Sequence, residues 1–119
     1  MKFDGGWSVG PQSYVWQGQD ITLNAWHQDQ VVDRPANATV IASSDFCENA
    51  ALLYGNDVFT VQAHPEFTAD FVGDLAERRG RGVVPDAQLD AALADRDRPV
   101  DNAQLARQIG QFFKHRSLT

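Results

Sequence analysis

Cysteine is almost absent from this sequence of 119 residues, in which Cys47 is the single thiol. One cysteine cannot form an internal disulfide, which is compatible with a reducing compartment. Long apolar runs are also absent, since none approaches the roughly 20 residues that span a bilayer. No apolar signal-peptide core follows Met1. We therefore expect a cytoplasmic protein with no membrane partner.

Basic residues are scarce as well: 10 Lys and Arg oppose 16 Asp and Glu, so the formal net charge is −6. Nucleic-acid binding depends on cations that displace phosphate counterions, so this balance argues against a nucleic-acid partner. The one basic cluster, at residues 78–81, reads as a helix end where cations complement the helix dipole. The remaining composition, 43% hydrophobic and 22% charged, is that of one globular domain.

Residues 58–67 are the most informative stretch, with the sequence Val-Phe-Thr-Val-Gln-Ala-His-Pro-Glu-Phe. The apolar run predicts a buried strand, and Pro65 ends it because proline has a fixed φ and no N–H. His64 and Glu66 can then project to the same side of a turn. An imidazole held by a carboxylate on one nitrogen can take a proton from a nucleophile on the other. The spacing alone also fits a structural histidine at a strand end and a glutamate that favours a helix dipole.

Three segments together resemble the class I, triad-type glutamine amidotransferases, such as the glutaminase domain of GMP synthase. Residues 61–67 (Val-Gln-Ala-His-Pro-Glu-Phe) resemble the closing signature of that family. Residues 25–31 (Ala-Trp-His-Gln-Asp-Gln-Val) resemble its Trp-His-x-Asp-x-Val segment, and residues 42–47 (Ala-Ser-Ser-Asp-Phe-Cys) the strand and loop that follow. The segments stand in the family's order.

The nucleophile of the family is a cysteine in a Gly-x-Cys-x-Gly elbow, and no such motif occurs in this sequence. Residues 1–7 resemble the stretch just after the elbow helix. The resemblance therefore implies that residues 1–119 are the carboxyl-terminal part of an amidotransferase domain. Its fold class is α/β, the flavodoxin-like three-layer α/β/α fold, with mixed strands at 13–63 followed by helices at 67–116.

In the mechanism that the resemblance implies, His64 deprotonates a cysteine whose thiolate attacks the side-chain amide of glutamine. Glu66 fixes the tautomer of the imidazole and stabilises its cation. Cys47 is a poor substitute for the nucleophile, because it lies among acidic residues that disfavour a thiolate and has no glycine elbow.

Trp26, His27, Gln28 and Asp29 match the family segment beside the glutamine pocket, so the resemblance implies that they bind substrate. The residues alone indicate only a polar cluster at a strand end. His27 and His64 lack the ligand spacing of a known metal site, and we expect neither a metal nor another cofactor.

Local patterns predict the elements around these segments. Two glycine turn signals place residues 1–12 in a loop. Aromatic and β-branched residues predict a strand at 13–17, alternation predicts one at 21–27, and apolar runs predict strands at 39–42, 50–54 and 58–63. Thr68 is expected to cap a helix with the apolar stripe Phe67, Phe71 and Leu75. Asp86 is expected to cap a second helix, and Asp101 with Gln104 a third, whose stripe is Leu105, Ile109, Phe112 and Phe113.

Two functions remain open. The chain is either part of a glutaminase that acts with the half carrying the cysteine, or a binding or scaffolding relic of the fold; it can also be a piece of a longer gene product. Missing neighbours would leave apolar strands exposed, so we expect a homo-oligomer or a complex with a chain carrying the cysteine half. Glutamine is the expected small-molecule substrate, and nothing identifies the ammonia acceptor.

Overall fold

The computed structural model of the protein describes residues 2–116, in which the strands precede the helices. The strands are β1 (Lys2–Asp4), β2 (Ser8–Trp16), β3 (Gln19–His27), β4 (Gln30–Asp33), β5 (Thr39–Ser43), β6 (Ala51–Tyr54) and β7 (Val58–Val61). The helices are α1 (Ala69–Leu75), which continues into a π-helical segment (Ala76–Gly80), then α2 (Asp86–Ala94) and α3 (Asn102–His115).

Five strands form one sheet in the order β3-β2-β5-β6-β7, and β1 pairs with β4 in a smaller one. Every pairing between these described strands is antiparallel. The longest pairing is the β2–β3 hairpin, whose two-residue turn places Gln17 and Gly18 at φ 48° and 82°. Positive φ at both turn positions matches the twist of the strands, and the resulting register sets Ser8 opposite His27.

The main core lies between the sheet and α3. Leu105 and Phe112 of α3 pack with Tyr14, Trp16 and Leu23 of the β2–β3 hairpin. The indole Nε1 of Trp16 donates to Oε1 of Gln108 at 2.8 Å. A second cluster joins the start of β2 to α2, with Val9, Ala76, Val84, Leu89 and Ala92 buried together.

The prediction of a loop over residues 1–12 is wrong, because β2 already begins at Ser8 and β1 covers Lys2–Asp4. Gly10 remains inside the ladder with φ +78°, where a Cβ atom would lie 2.6 Å from Cβ of Ala92. Here the glycine serves a close approach of β2 to α2 and not a turn.

The expectation of a buried strand at 58–63 is also wrong in part. The strand β7 ends at Val61, and its residues alternate between exposed and half-buried, because it is the last strand in the order of the described sheet. The hairpin that delivers it is confirmed, with Gly55 at φ 58° between β6 and β7.

The first helix begins as predicted, with the Thr68 hydroxyl accepting from the Phe71 amide at 3.2 Å. The predicted apolar stripe is wrong, however. The helix buries Val72 and Gly73, followed by Ala76 in the π-helical segment, whereas Phe71 is 48% exposed. Phe67 lies in the turn that precedes the helix, so the period of four residues does not apply to it.

The other two predicted caps are corrected as well. Pro85 occupies the cap position of α2, while Asp86 pairs with Arg81 at 3.2 Å. Asp101 precedes α3 without a capping hydrogen bond, because its carboxylate accepts from the Thr22 amide at 2.7 Å. On α3 itself, Leu105 and Phe112 are buried as expected, but Phe113 is 78% exposed. No helix within residues 2–116 is long and apolar enough to cross a membrane.

Candidate active site

His64 lies in a short connection between the sheet and α1. After β7 ends, the His64 amide donates to the Asn24 carbonyl at 2.8 Å, which forms an isolated antiparallel bridge to β3. The amide of Phe67 then donates back to the His64 carbonyl at 3.1 Å and closes a turn. We call residues 64–67 the His64 turn. Main-chain bonds thus fix the backbone that carries both His64 and Glu66.

The imidazole of His64 and the carboxylate of Glu66 are in direct contact, with Nδ1 2.7 Å from Oε1. The carboxylate can only accept, so Nδ1 carries the hydrogen, and Nε2 of the neutral ring has an available lone pair. The side chains are 34% and 61% exposed, so the pair is accessible from solvent. The structure therefore brings together the two residues that the sequence singled out, in a geometry suited to proton transfer at Nε2.

His27 ends β3 and has a different environment. Its Nδ1 lies 3.2 Å from the carbonyl oxygen of Asp29, and its Nε2 atom is buried. Burial lowers the pKa of His27, the Asp29 carbonyl and the Gln30 amide partly oppose this, and His64 lowers the pKa further. Because His64 acts electrostatically on His27 and its backbone bridges to Asn24, the ends of β3 and of the His64 turn border one region.

The rest of the 26–29 segment is divided between packing and solvent. Trp26 is half-buried and meets Trp7 edge to face, with ring centroids 5.9 Å apart. Gln28 and Asp29 are exposed in the connection between β3 and β4. The segment thus presents polar groups beside His27, next to the Trp7–Trp26 contact. Its predicted role in substrate binding stays a prediction.

Cys47 is buried, with 2% of its surface exposed, and its Sγ donates to Oε1 of Gln62 at 3.0 Å. Burial raises the pKa of the Cys47 thiol to about 11, so it is a thiol at neutral pH. The sequence reasoning attributed a high pKa to the neighbouring acids, whereas the structure attributes it to desolvation. This environment fits a structural thiol.

Two asparagines that hold the site were not predicted from the sequence. Asn24, in the middle of β3, is 1% exposed and donates Nδ2 to the carbonyl of Phe67 at 3.1 Å. Asn102, at the start of α3, donates to the same carbonyl at 2.8 Å. Asparagine is depleted in strands, so Asn24 inside an otherwise apolar and β-branched run was an available signal.

Two other kinds of site do not coincide with this pair. No group of three or more His, Cys, Asp or Glu side chains within the described ranges could hold a metal ion. A groove of about 290 Å³ between Trp7, Pro11, Phe46 and α2 is lined by neither His64 nor Glu66. We therefore take the His64–Glu66 pair as the candidate site within the described residues.

The sequence is similar to curated proteins over part of their length, although no family model matches it. It is 33% identical over 93 residues to a glutamine amidotransferase-like protein of Schizosaccharomyces pombe, and this alignment covers 77% of this chain and 38% of that protein. It is 31% identical over 105 residues to gamma-glutamyl peptidase 5 of Arabidopsis thaliana, covering 83% of this chain and 40% of the peptidase.

The fold is that of a solved amidotransferase. The crystal structure of a glutamine amidotransferase from Methylobacillus flagellatus superposes with a TM-score of 0.67 at 18% identity, over 95% of this chain and 54% of that one. The predicted α/β amidotransferase fold is thereby confirmed for the part of the domain that this chain represents. The chain is class I glutamine amidotransferase-like, and it spans less than half the length of the curated relatives named above.

Proposed function

We propose that this chain supplies the general base, His64, and its orienting acid, Glu66, to a Cys-His-Glu glutaminase site. The observation that carries the proposal is the 2.7 Å contact between Nδ1 of His64 and Oε1 of Glu66 on a turn fixed by main-chain hydrogen bonds. The nucleophilic cysteine comes from a segment outside these 119 residues, because the single thiol of the sequence, Cys47, is buried and has a raised pKa.

The reaction proceeds through a thioester. His64 takes the thiol proton on Nε2, and the thiolate attacks the carbonyl carbon of the glutamine side-chain amide. The carbon–nitrogen bond then breaks, and ammonia leaves with the proton that His64 returns. Water, deprotonated by the same imidazole, then attacks the thioester carbonyl, the carbon–sulfur bond breaks to release glutamate, and the imidazolium returns its proton to the cysteine. Throughout, Glu66 keeps the hydrogen on Nδ1 and stabilises the imidazolium.

The substrate is a γ-glutamyl compound, in which the γ-carboxyl group of glutamate forms the amide that is cleaved. Glutamine is the expected acyl donor, and γ-glutamyl peptides are a second candidate because one relative is named a gamma-glutamyl peptidase. Trp26, His27, Gln28 and Asp29 border the amino-acid end of the substrate. The partner is a cysteine-bearing segment or a second copy of the chain, and a reducing compartment such as the cytoplasm would keep the attacking thiol active.

The first test uses the 119-residue chain alone. We expect no ammonia release from glutamine above a control without protein, because a base and an acid without a nucleophile and oxyanion donors cannot form the acyl intermediate. Ammonia release that His64→Ala abolishes would contradict the proposal that the nucleophile lies elsewhere. Loss of such release in Cys47→Ser would identify Cys47 as the nucleophile.

The second test is a hybrid enzyme, in which the 93-residue segment of the Schizosaccharomyces pombe relative is exchanged for the matching segment of this chain. We expect hydrolysis of glutamine or of a γ-glutamyl peptide, and a loss on the order of 10²- to 10⁴-fold in His64→Ala. Cys47→Ser is the matched control and should retain activity. A folded hybrid that binds substrate without hydrolysing it would favour the scaffolding alternative.

A further inference from the structure

The phenyl ring of Phe67 lies flat against the imidazole of His64. The ring centroids are 4.1 Å apart and the planes differ by 3°. Phe71 also packs against Phe67, with centroids 4.6 Å apart and planes inclined by 54°, and does so from a half-exposed position on α1. Phe67 therefore covers one face of the imidazole, while Glu66 contacts the ring at its edge.

The backbone of Phe67 is anchored by two side chains from distant parts of the sequence. Its carbonyl oxygen accepts from Nδ2 of both Asn24 and Asn102, which uses both lone pairs. The Oδ1 atoms of these asparagines are buried without a partner among residues 2–116. Unsatisfied buried acceptors are unfavourable, so the two amides are held in place at a cost to stability, as is common at functional sites.

We propose that Phe67 is a positioning residue for His64: its ring fixes the plane of the imidazole, so that Nε2 has one direction. This inference rests on the proposed role of His64 as the base. The hydrogen bond to Glu66 fixes the tautomer but lets the ring rock about the line from Nδ1 to Oε1. A stacked ring removes that motion, because tilting the imidazole would drive it into the phenyl face.

The same ring affects the charged state of His64. The face of an aromatic ring carries the negative part of its quadrupole and attracts a cation within about 6 Å of its centroid. The imidazolium that forms when His64 takes up the thiol proton is therefore attracted to Phe67. A leucine at this position would fill similar space without this attraction and without a flat face.

Nuclear magnetic resonance of the 119-residue chain tests the positioning directly. The readouts are the chemical shifts of the His64 ring protons, nuclear Overhauser contacts between the two rings, and the side-chain ¹⁵N shifts that report the tautomer. We expect ring-current displacement in the wild type and in Phe67→Tyr, and its loss in Phe67→Leu with the Nδ1–H tautomer retained. Phe71→Leu is the matched control and should keep the displacement.

Equal His64 signals in the wild type and in Phe67→Leu would overturn the inference, since the ring would then not contact the imidazole. Should Phe67→Leu fail to fold, Phe67→Met replaces it, because an unbranched side chain fills irregular space.

Kinetics of the hybrid enzyme provide the second arm. We expect Phe67→Leu to lower kcat by about 10- to 100-fold with little change in KM, because the base is misaligned while the substrate still binds. Phe67→Tyr should restore kcat, and Phe71→Leu should leave it unchanged. A raised KM with unchanged kcat would overturn the inference. An inactive wild-type hybrid would contradict the proposed function, and the resonance measurements would still decide whether Phe67 fixes the imidazole.

Discussion

The two histidines at the site lie at the ends of neighbouring chain segments but have opposite environments. His64 contacts the carboxylate of Glu66 and is about one-third exposed. His27 contacts the main-chain carbonyl of Asp29, and its Nε2 is buried. A carboxylate stabilises an imidazolium more strongly than a main-chain carbonyl does, and burial disfavours the charged ring.

These environments favour His64 over His27 as the proposed base. His64 has a carboxylate partner on Nδ1 and is accessible from solvent, which suits the proposed base. His27 is held neutral, because burial lowers its pKa from the ordinary value near 6.5. Histidine is thus the proposed base at position 64 and a neutral polar side chain at position 27, and the difference follows from the environment of each ring.

The strongest test of the comparison removes the carboxylate at His64. In the hybrid enzyme we expect Glu66→Gln to lower kcat on the order of 10³- to 10⁴-fold, because an amide can stabilise the wrong tautomer. The ¹⁵N shifts of His64 in the 119-residue chain should show the hydrogen moving to Nε2. Unchanged activity and tautomer would mean that Glu66 does not orient the base.

A change on the His27 side should affect stability and spare His64. Gly10→Ala places a methyl group against Ala92 at a residue with φ +78°, and Gly10 pairs with Ala25 in β3. We expect a loss of about 1–3 kcal/mol in the free energy of unfolding, measured with urea.

The control for Gly10→Ala is Gly110→Ala in α3, where a Cβ atom would meet nothing within 4 Å. It should stabilise the chain by up to about 1 kcal/mol. Equal shifts of the His64 and His27 ring signals in Gly10→Ala would contradict the expectation that this change spares His64.

The pH dependence of stability should report His27. Because its folded pKa is lowered, the unfolded chain binds the proton first, so stability from this residue is complete above pH 6.5 and is lost as the pH falls below it. The free energy of unfolding is measured with urea between pH 7.5 and 5.5. His27→Gln should reduce the loss of stability on acidification, and one proton limits this reduction to less than roughly 1.4 kcal/mol per pH unit. His115→Gln, on the exposed end of α3, is the control; an equal effect there would contradict the assignment.

The smallest effect is expected at Asp29. His27 contacts the Asp29 carbonyl and not its carboxylate, so Asp29→Asn should leave the His27 tautomer unchanged and the free energy of unfolding within about 0.5 kcal/mol. A change of tautomer would show that the carboxylate of Asp29 orients His27 as Glu66 orients His64.

The contact between His64 and Glu66 could be predicted from the sequence, because the two residues are close neighbours in the chain. Pro65 ends the extended run, and two residues of separation suffice to bring His64 and Glu66 together. The Thr68 cap and the hairpin at Gly55 are local for the same reason.

The long-range part could not be predicted. Period-two alternation at 21–27 predicts only a half-buried strand, yet Asn24 is fully buried because the His64 turn covers that edge of β3. Asp101 fits a cap by composition, but it bonds to Thr22 across the molecule. Tertiary partners at large sequence separation override local propensity in both cases.

The carbonyl of Phe67 has a consequence for the order in which the chain folds. Its two donors lie far from it in sequence, one in β3 and one at the start of α3. The β2–β3 hairpin needs only a two-residue turn and can form early, whereas the contacts of Phe67 require closure of long loops. The His64 turn is then expected to be among the last parts to become ordered, and the amide of His64 would gain protection in pulse-labelling hydrogen exchange after the amides of the hairpin. A chain that has not yet docked α3 would carry both His64 and Glu66 without a fixed site, so proton-transfer competence would arise only on completion of the fold.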